Sequence, residues 1–248
     1  MPGHPGRALH AVYVSDEEGF VDAENVLIYN VGSGAFSHLC QRGLCFERCF
    51  APPPEPPKAF SVRATHYHRY GVVEPENVRH KWTATQTLAS WRDVVCPAVH
   101  SGSKPAEVWQ AMKQGCIRPT HNARPPRLYG VEIVIRGPER AAVNLAGAVK
   151  PLLDGVLSVF HLHDRSNMAE VTRRVAQALG TSGAAVAEML ADETHAVLGQ
   201  TCLVRIRGSG VQWCPADDGC VLGKINLKAL TPGRLWSLSG RLFDVAPQ

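Results

Sequence analysis

The segment from residue 131 to residue 160 constrains the fold more than any other part of the chain. Residues 131–136 are mostly β-branched and are followed by a Gly-Pro pair, which predicts a buried strand that ends there. Residues 144–160 are apolar enough for a buried helix, with Asn144 as its N-cap, and Pro151 either kinks this helix or begins a second one. A strand followed at once by an apolar helix predicts a protein that packs helices on a sheet.

Downstream patterns predict the same mixed architecture. Asn167 is the expected N-cap of a second helix, Gly180 its C-cap, and Thr181 or Ser182 the cap of a third helix that ends near residue 191. Residues 202–207 and 211–213 flank a Gly-Ser-Gly turn and predict a β-hairpin. We therefore expect an α/β (mixed α+β) fold, a single globular domain with a mixed sheet, a central helical hairpin and a C-terminal β-hairpin.

Weaker signals complete the expected elements. Residues 26–31 are an apolar run before Gly-Ser-Gly and predict a strand. Residues 85–95 and 105–114 are expected to form short helices, and residues 235–245 an edge strand.

The stretch at residues 51–58 is the best candidate for a domain boundary. Its prolines can neither continue a helix nor donate to a sheet, so an extended polyproline II connector is expected. This divides the chain into an N-terminal segment, residues 1–58, and a main mixed α/β domain, residues 59–248. Fewer than sixty residues are few for an independent domain, so one domain overall is the alternative.

Composition restricts the compartment and the partners. Of 248 residues, 45% are hydrophobic and 19% charged, and no run approaches the roughly 18 apolar residues of a membrane helix. The first ten residues have no apolar core of the secretory kind, so we expect a cytoplasmic protein that does not bind membranes. The net charge of +4 allows nucleic acid as a partner without requiring it. The many glycines and prolines, beside abundant alanine and arginine, suggest a bacterial source with a GC-rich genome.

Residues 150–164 carry the most specific chemical pattern. At 3.6 residues per turn, Lys150, Asp154 and His161 lie near one stripe of the predicted helix. Hydrolysis of a phosphodiester with a divalent cation needs carboxylate ligands and often a lysine beside the phosphate. The pattern therefore suits a metal-dependent nuclease, a hydrolase; a solvated polar face on a core helix is the alternative.

The order of these residues resembles that of RusA-type Holliday junction resolvases, over about residues 131–164. In that family a strand leads to a D-x-D-N-L segment, then to a helix with a lysine and L-D-A-L, then to a D-D pair. Here the corresponding residues are Asn144-Leu145, then Lys150 with Leu153-Asp154-Gly155-Val156, then His163-Asp164. The two aspartates before the asparagine are Ala141 and Val143 here.

The resemblance implies a small α/β nuclease that acts as a homodimer on nucleic acid. In this chain Asp154 and Asp164 would bind Mg²⁺ or Mn²⁺, Lys150 would contact phosphate, and His161 or His163 would assist. Because the D-x-D pair is missing, a subunit that has lost its activity is an alternative.

Residues 175–190 resemble the helix-turn-helix of bacterial DNA-binding regulators in the spacing of an alanine, a glycine and a valine around Gly180. The second helix and the residues after it carry Glu188, Asp192 and Glu193, but neither arginine nor lysine, which disfavours docking on phosphates. The segment predicts either a non-enzymatic DNA-binding or protein-interaction module, or an ordinary packed helical hairpin.

Two further groups could bind ligands. Prolines in the loop at residues 118–127 can align four basic side chains for phosphate binding, and a solvated loop is the alternative; these are Arg118, His121, Arg124 and Arg127. Eight cysteines in a reducing cytosol predict free thiols or metal ligands. Cys40, Cys45 and Cys49 could hold zinc, although their C-x4-C-x3-C spacing is not that of a zinc knuckle, and buried apolar thiols are the alternative.

Several enzyme classes lack their sequence signatures. The chain has no G-x-x-x-x-G-K-[ST], G-x-S-x-G or H-E-x-x-H motif, and no H-x-E with P-C-x-x-C. This disfavours P-loop nucleotide hydrolysis, the α/β-hydrolase fold, and the zinc protease and zinc deaminase chemistries.

Overall fold

An eight-stranded mixed sheet forms the centre of the computed structural model. The structure describes residues 7–17, 19, 21–29, 31–56, 64–74, 78, 80–120, 124–138, 143–229 and 235–248. The strands of this sheet are β1 (Ala8–Ser15), β2 (Gly43–Phe50), β3 (Tyr67–Val73), β4 (Trp82–Val95), β5 (Ile117–Pro119), β6 (Tyr129–Gly137), β11 (Cys220–Ala229) and β12 (Ser237–Pro247). Their order across the sheet is β3-β1-β2-β11-β6-β12-β4-β5.

Helices and short strands complete the described fold. The helices are α1 (Ser33–Phe36), α2 (Pro105–Lys113), α3 (Leu145–Ser158), α4 (Met168–Leu179) and α5 (Gly183–Ala191). The pairs β7 (Leu162–His163) with β8 (Gln200–Thr201), and β9 (Val204–Arg207) with β10 (Gly210–Trp213), form two small sheets. This mixed architecture, with the helical pair α4–α5 and the β9–β10 hairpin, confirms the predicted fold class.

The helices cover one face of the large sheet. Alternate residues of the strands, such as Leu44, Ile133 and Leu242, point into the same core as the apolar side of α3. The opposite face carries a smaller apolar cluster around Trp82 and Phe243. It also carries a row of polar residues that are direct partners across five neighbouring strands, namely His10, Cys45, Lys224, Glu132 and Arg241.

Two local predictions are wrong. Residues 26–31 form no strand; Asn25–Tyr29 is a single π-helical turn that buries Leu27 and Ile28. A short apolar run does not distinguish strand from helix by periodicity, and Asp22 supports the turn by accepting hydrogen bonds from the Asn25 side chain and the Val26 backbone. Residues 85–95 belong to the long strand β4, because its alternating β-branched threonines favour extended backbone.

The predicted edge strand at residues 235–245 is instead an inner strand. β12 pairs with β6 on one side and with β4 on the other. Its apolar residues Leu238 and Leu242 are fully buried, as an inner position requires.

Strands from both sides of the proline stretch belong to one sheet within a single compact domain. β2, from the segment before it, pairs with β11 near the end of the chain. Among the described residues, no helix is both long enough and apolar enough to cross a membrane.

Candidate metal centre

Four carboxylates surround the ammonium group of Lys150 in α3. Nζ of Lys150 lies 3.4 Å from Asp22 Oδ2 and 3.1 Å from Glu24 Oε1. It also lies 2.9 Å from Asp154 Oδ1 and 2.5 Å from Asp217 Oδ2. We call these five residues the carboxylate cluster.

Three separate elements supply the cluster. Lys150 and Asp154 are four residues apart on α3 and therefore share one face of the helix. The helix is fixed at its start by Asn144, whose side chain accepts a hydrogen bond from the Gly147 backbone, as predicted. Asp22 and Glu24 precede the π-helical turn, whereas Asp217 begins the 3₁₀ turn Asp217–Gly219 before β11.

The cluster is largely buried and formally carries excess negative charge. The side chains of Glu24 and Asp217 are 1% and 8% exposed, and that of Asp154 is 10% exposed. Lys150 and Asp22 are open to solvent on one side, at 23% and 29%. Four ionised carboxylates beside one ammonium leave three uncompensated negative charges, which a buried site does not tolerate without protons or a further cation.

Burial sets the ionisation of these groups. It raises the pKa of Asp154 to about 7, against the opposing effect of Lys150. Burial and the neighbouring Glu24 raise the pKa of Asp217 to about 7, and burial also raises the pKa of Glu24. Burial alone would lower the pKa of Lys150, but Glu24, Asp217 and Asp154 together raise it, so this lysine is charged. The cluster thus holds acids that titrate near neutral pH beside a permanent cation.

The donor set fits a hard divalent cation. One oxygen each from Asp22, Glu24 and Asp217 lies within 4.8 Å of the others. Asp154 Oδ1 is buried and accepts no hydrogen bond from the described residues, although it forms an ion pair with Lys150. Carboxylate oxygens at such spacings suit Mg²⁺ or Mn²⁺ better than a soft metal.

A small pocket lies beside the turn that carries Asp217. It has a volume of about 160 Å³ and is lined by Arg127, Tyr129, His161 and Asp218, among others. Tyr129 donates a hydrogen bond to the carbonyl of Ala216, the residue before Asp217. The basic loop therefore passes beside the turn that carries Asp217, and both Arg124 and Arg127 are exposed there.

The histidines and the second aspartate predicted for the site have other neighbours. His161 is buried; its Nδ1 donates to the Leu157 carbonyl at 3.0 Å, and burial lowers its pKa to about 4, so it is neutral and lines the pocket. His163 Nε2 donates to the Ser166 carbonyl, and Asp164 accepts from the Ser166 backbone. Thus Lys150 and Asp154 are brought together as predicted, while His163 and Asp164 stabilise the turn that leads to α4.

The remaining predicted ligand groups are dispersed over the fold. Arg118 lies on the edge strand β5, opposite Ser90 of β4, and His121 lies outside the described residues. Cys40 is buried in the helix-side core, whereas Cys45 and Cys49 are four residues apart on β2, about 13 Å along a strand. These three thiols do not converge on one another.

The helical pair around Gly180 forms as predicted, with Gly180 in the left-handed conformation and Ser182 capping α5. Arg173 and Arg174 of α4 both pair with Glu170, and Arg174 also donates to carbonyls of the β9–β10 turn. The exposed side of α5 offers Glu188 and no basic residue. The helical pair therefore contacts the β9–β10 hairpin of the same chain.

Comparison of the chain with protein-family models, with curated proteins and with solved structures finds no match.

Sequence reasoning missed three of the four carboxylates. Asp22 and Glu24 lie 128 and 126 residues from Lys150 along the chain, and no local pattern connects them. Asp217 lies in a turn between Cys214 and Cys220, 67 residues after Lys150, and no local pattern connects it to the helix either. The available signal was the D-x-E spacing directly before an apolar run.

Proposed function

We propose that the protein is a divalent-metal-dependent nuclease whose centre is the carboxylate cluster. The observation that carries this proposal is the convergence of four carboxylates on Lys150 in a site that is largely buried but open on one side. Asp22, Glu24 and Asp217 would hold Mg²⁺ or Mn²⁺, whose role is to polarise the phosphoryl oxygen and activate water.

The residues around the metal ligands have the properties that phosphodiester hydrolysis needs. With a pKa of about 7, Asp154 can accept a proton from attacking water at neutral pH. The ammonium group of Lys150 can offset the charge that develops on the phosphate oxygens. Lys150 contacts all four carboxylates when no metal is bound. A bound cation would neutralise part of their negative charge in its place, and the Lys150 ammonium group could then contact the phosphate.

Nucleic acid is the favoured substrate because exposed basic residues flank the cluster. Arg124 and Arg127 lie in the loop that passes beside Asp217, and the whole chain carries a net charge of +4. Such a rim would contact backbone phosphates on either side of the scissile bond. The resemblance to RusA-type resolvases favours the same substrate class, and a homodimer would fit a branched one.

The test is cleavage of fluorescently labelled single-stranded, duplex and branched DNA and RNA with Mg²⁺, with Mn²⁺ and with chelator. We expect metal-dependent cleavage that falls at least a hundredfold, on the order expected for loss of a catalytic acid or base, in Asp154→Asn and in Asp217→Asn. Asp164→Asn is the matched control and should retain activity, because the contacts of Asp164 with Ser166, His163 and Cys202 lie outside the carboxylate cluster.

Two results would count against the proposal. One is cleavage that survives both cluster substitutions, and the other is the absence of cleavage on every substrate with either metal. Salt-sensitive binding without cleavage would instead favour a non-enzymatic nucleic-acid-binding protein.

A further inference from the structure

We infer that His10, Cys45 and His80 bind one zinc ion on the face of the sheet opposite the helices. One nitrogen of each histidine and the Cys45 sulfur lie within 4.8 Å of one another. Two imidazoles and a thiolate are ligands that zinc prefers over Mg²⁺ or Ca²⁺. This site shares no residue with the carboxylate cluster and does not depend on the proposed nuclease function.

The sheet register places two of these ligands side by side. His10 of β1 is the direct partner of Cys45 on the parallel strand β2, so both side chains leave the same face of the sheet about 4.8 Å apart. His80 reaches them from the segment that leads into β4. The fold itself therefore brings the three ligands together, two from adjacent strands and one from the segment before β4, without a bound metal ion.

Glu47 orients His10 and lies near His80. Its Oε1 lies 3.2 Å from His10 Nε2, and its Oε2 accepts a hydrogen bond from the Lys81 backbone at 3.0 Å, next to His80. A carboxylate beside a ligating histidine is the usual second partner in zinc sites. The fourth position of a tetrahedral ion is left for a Glu47 oxygen or for water.

One buried nitrogen atom in the group lacks a hydrogen-bond partner. Within the described residues, His80 Nδ1 is buried and makes no hydrogen bond. A buried polar atom without a partner is costly unless a ligand is present. A bound metal ion removes this cost.

The distances need only a small adjustment. A tetrahedral zinc ion with bonds of about 2.0–2.3 Å brings its ligand atoms to roughly 3.5–4 Å from one another. The three ligand atoms, within 4.8 Å of one another, are thus farther apart than a bound zinc ion requires by about an ångström at most.

The surrounding charges make zinc binding dependent on pH. Burial and Glu47 raise the pKa of Cys45 to about 12, with Glu132 acting in the same direction and Lys224 opposing it. Burial and the charges of His10 and Lys224 lower the pKa of His80, against Glu47 and Glu132. Zinc binding near neutral pH must therefore displace the Cys45 proton.

The experiment is a titration of the metal-free protein with Co²⁺, in the presence of excess Mg²⁺ to fill the carboxylate cluster. We expect visible bands of a tetrahedral ion and a thiolate-to-cobalt charge-transfer band, saturating at one ion per chain and displaced by Zn²⁺. Cys45→Ser should lose the charge-transfer band. His80→Asn, at a half-exposed position that tolerates substitution, should weaken Zn²⁺ binding about tenfold or more.

Cys49→Ser is the matched control, since Cys49 is a buried thiol on the same strand and the same face, outside the group. It should retain both the spectrum and the affinity, and circular dichroism should show all three variants folded. A wild-type protein without the charge-transfer band, or a band that persists in Cys45→Ser, would overturn the inference. The nuclease assay is independent of either result.

Discussion

Lys150 shows how one cation can hold several buried carboxylates at a thermodynamic cost. Asp154 and Asp217 ionise in the unfolded chain near their usual value of 3.8 but near 7 in the folded protein. Between pH 4 and pH 7 the folded state therefore binds more protons than the unfolded state. The linkage relation then requires stability to fall as pH rises through this range, and the contribution of these groups is lost by pH 8.

Asp217→Asn is expected to stabilise the metal-free protein at pH 8 by on the order of 2 kcal/mol, because it removes one buried negative charge. At pH 4 most of the gain should be lost, since wild-type Asp217 is then protonated in the folded state and only partly ionised in the unfolded chain. The measurement is urea unfolding in chelator at the two pH values. With saturating Mn²⁺ the order should reverse, because only the wild-type protein gains binding energy.

Asp164→Asn provides the opposite case in the same assay. A hydrogen bond from the Ser166 backbone lowers the pKa of Asp164, so its removal should slightly destabilise the protein at pH 8. If Asp217→Asn also proved destabilising in chelator at pH 8, the cluster would be an optimised structural ion network and not a cation site.

At the scale of elements, the position of α3 depends on its contact with α2. A Cβ atom on Gly155 would lie 2.5 Å from Val108 Cβ and 2.8 Å from the Pro105 carbonyl oxygen. The second atom belongs to backbone and cannot move aside. Gly155 therefore lets the two helices approach closely, and this approach fixes its neighbour Asp154 in the cluster.

Gly155→Ala should destabilise the protein by up to about 2 kcal/mol, as overpacking of about 1–3 kcal/mol is offset only in part by a helix-propensity gain of about 1 kcal/mol. The same substitution at Gly183 should be neutral or stabilising, because its Cβ would meet only Thr172 Cγ2 at 3.6 Å. Chemical denaturation of both variants tests this contrast. Equal effects would show that backbone propensity, and not the contact between helices, decides the outcome.

The elements also show what local sequence can predict. The strand at 131–136 and the caps at Asn144, Gly180 and Ser182 were predictable because each is set by nearby residues. Asn167 was predicted as an N-cap, but it adopts a left-handed conformation with φ of 52° and makes no capping hydrogen bond. Asparagine side chains also favour non-helical local conformations, the left-handed one among them. The residue type alone does not show which of these conformations is adopted.

Pairing between distant strands could not be predicted in the same way. His10 meets Cys45 and Asp217 meets Lys150 only because β1, β2, α3 and the turn before β11 converge in the fold. Lys150 and Asp154 were found because they are one helical turn apart. The sequence therefore identified Lys150 and Asp154, which are close along the chain. Only the tertiary structure showed that Asp22, Glu24 and Asp217 join them.

At the scale of the molecule, the sheet depends on its last strand. β12 lies between β6 and β4, so it alone joins the pair β4–β5 to the other strands in the described part of the sheet. A row of apolar residues in β12 also contributes to the core beneath the helices. The sheet is thus completed only once the strand at residues 237–247 is in place.

Deletion of residues 237–248 should accordingly abolish cooperative folding, because it exposes two long inner strand edges at once. Circular dichroism in the near ultraviolet should lose its fixed aromatic signal, and thermal unfolding should lose its sharp transition. Hydrogen exchange on the intact protein gives an independent measure, with backbone amides of Arg241 and Leu242 expected to exchange far more slowly than those of the edge strand β3. Equally rapid exchange in β12 and β3 would show that the last strand is an addition to a sheet that is stable without it.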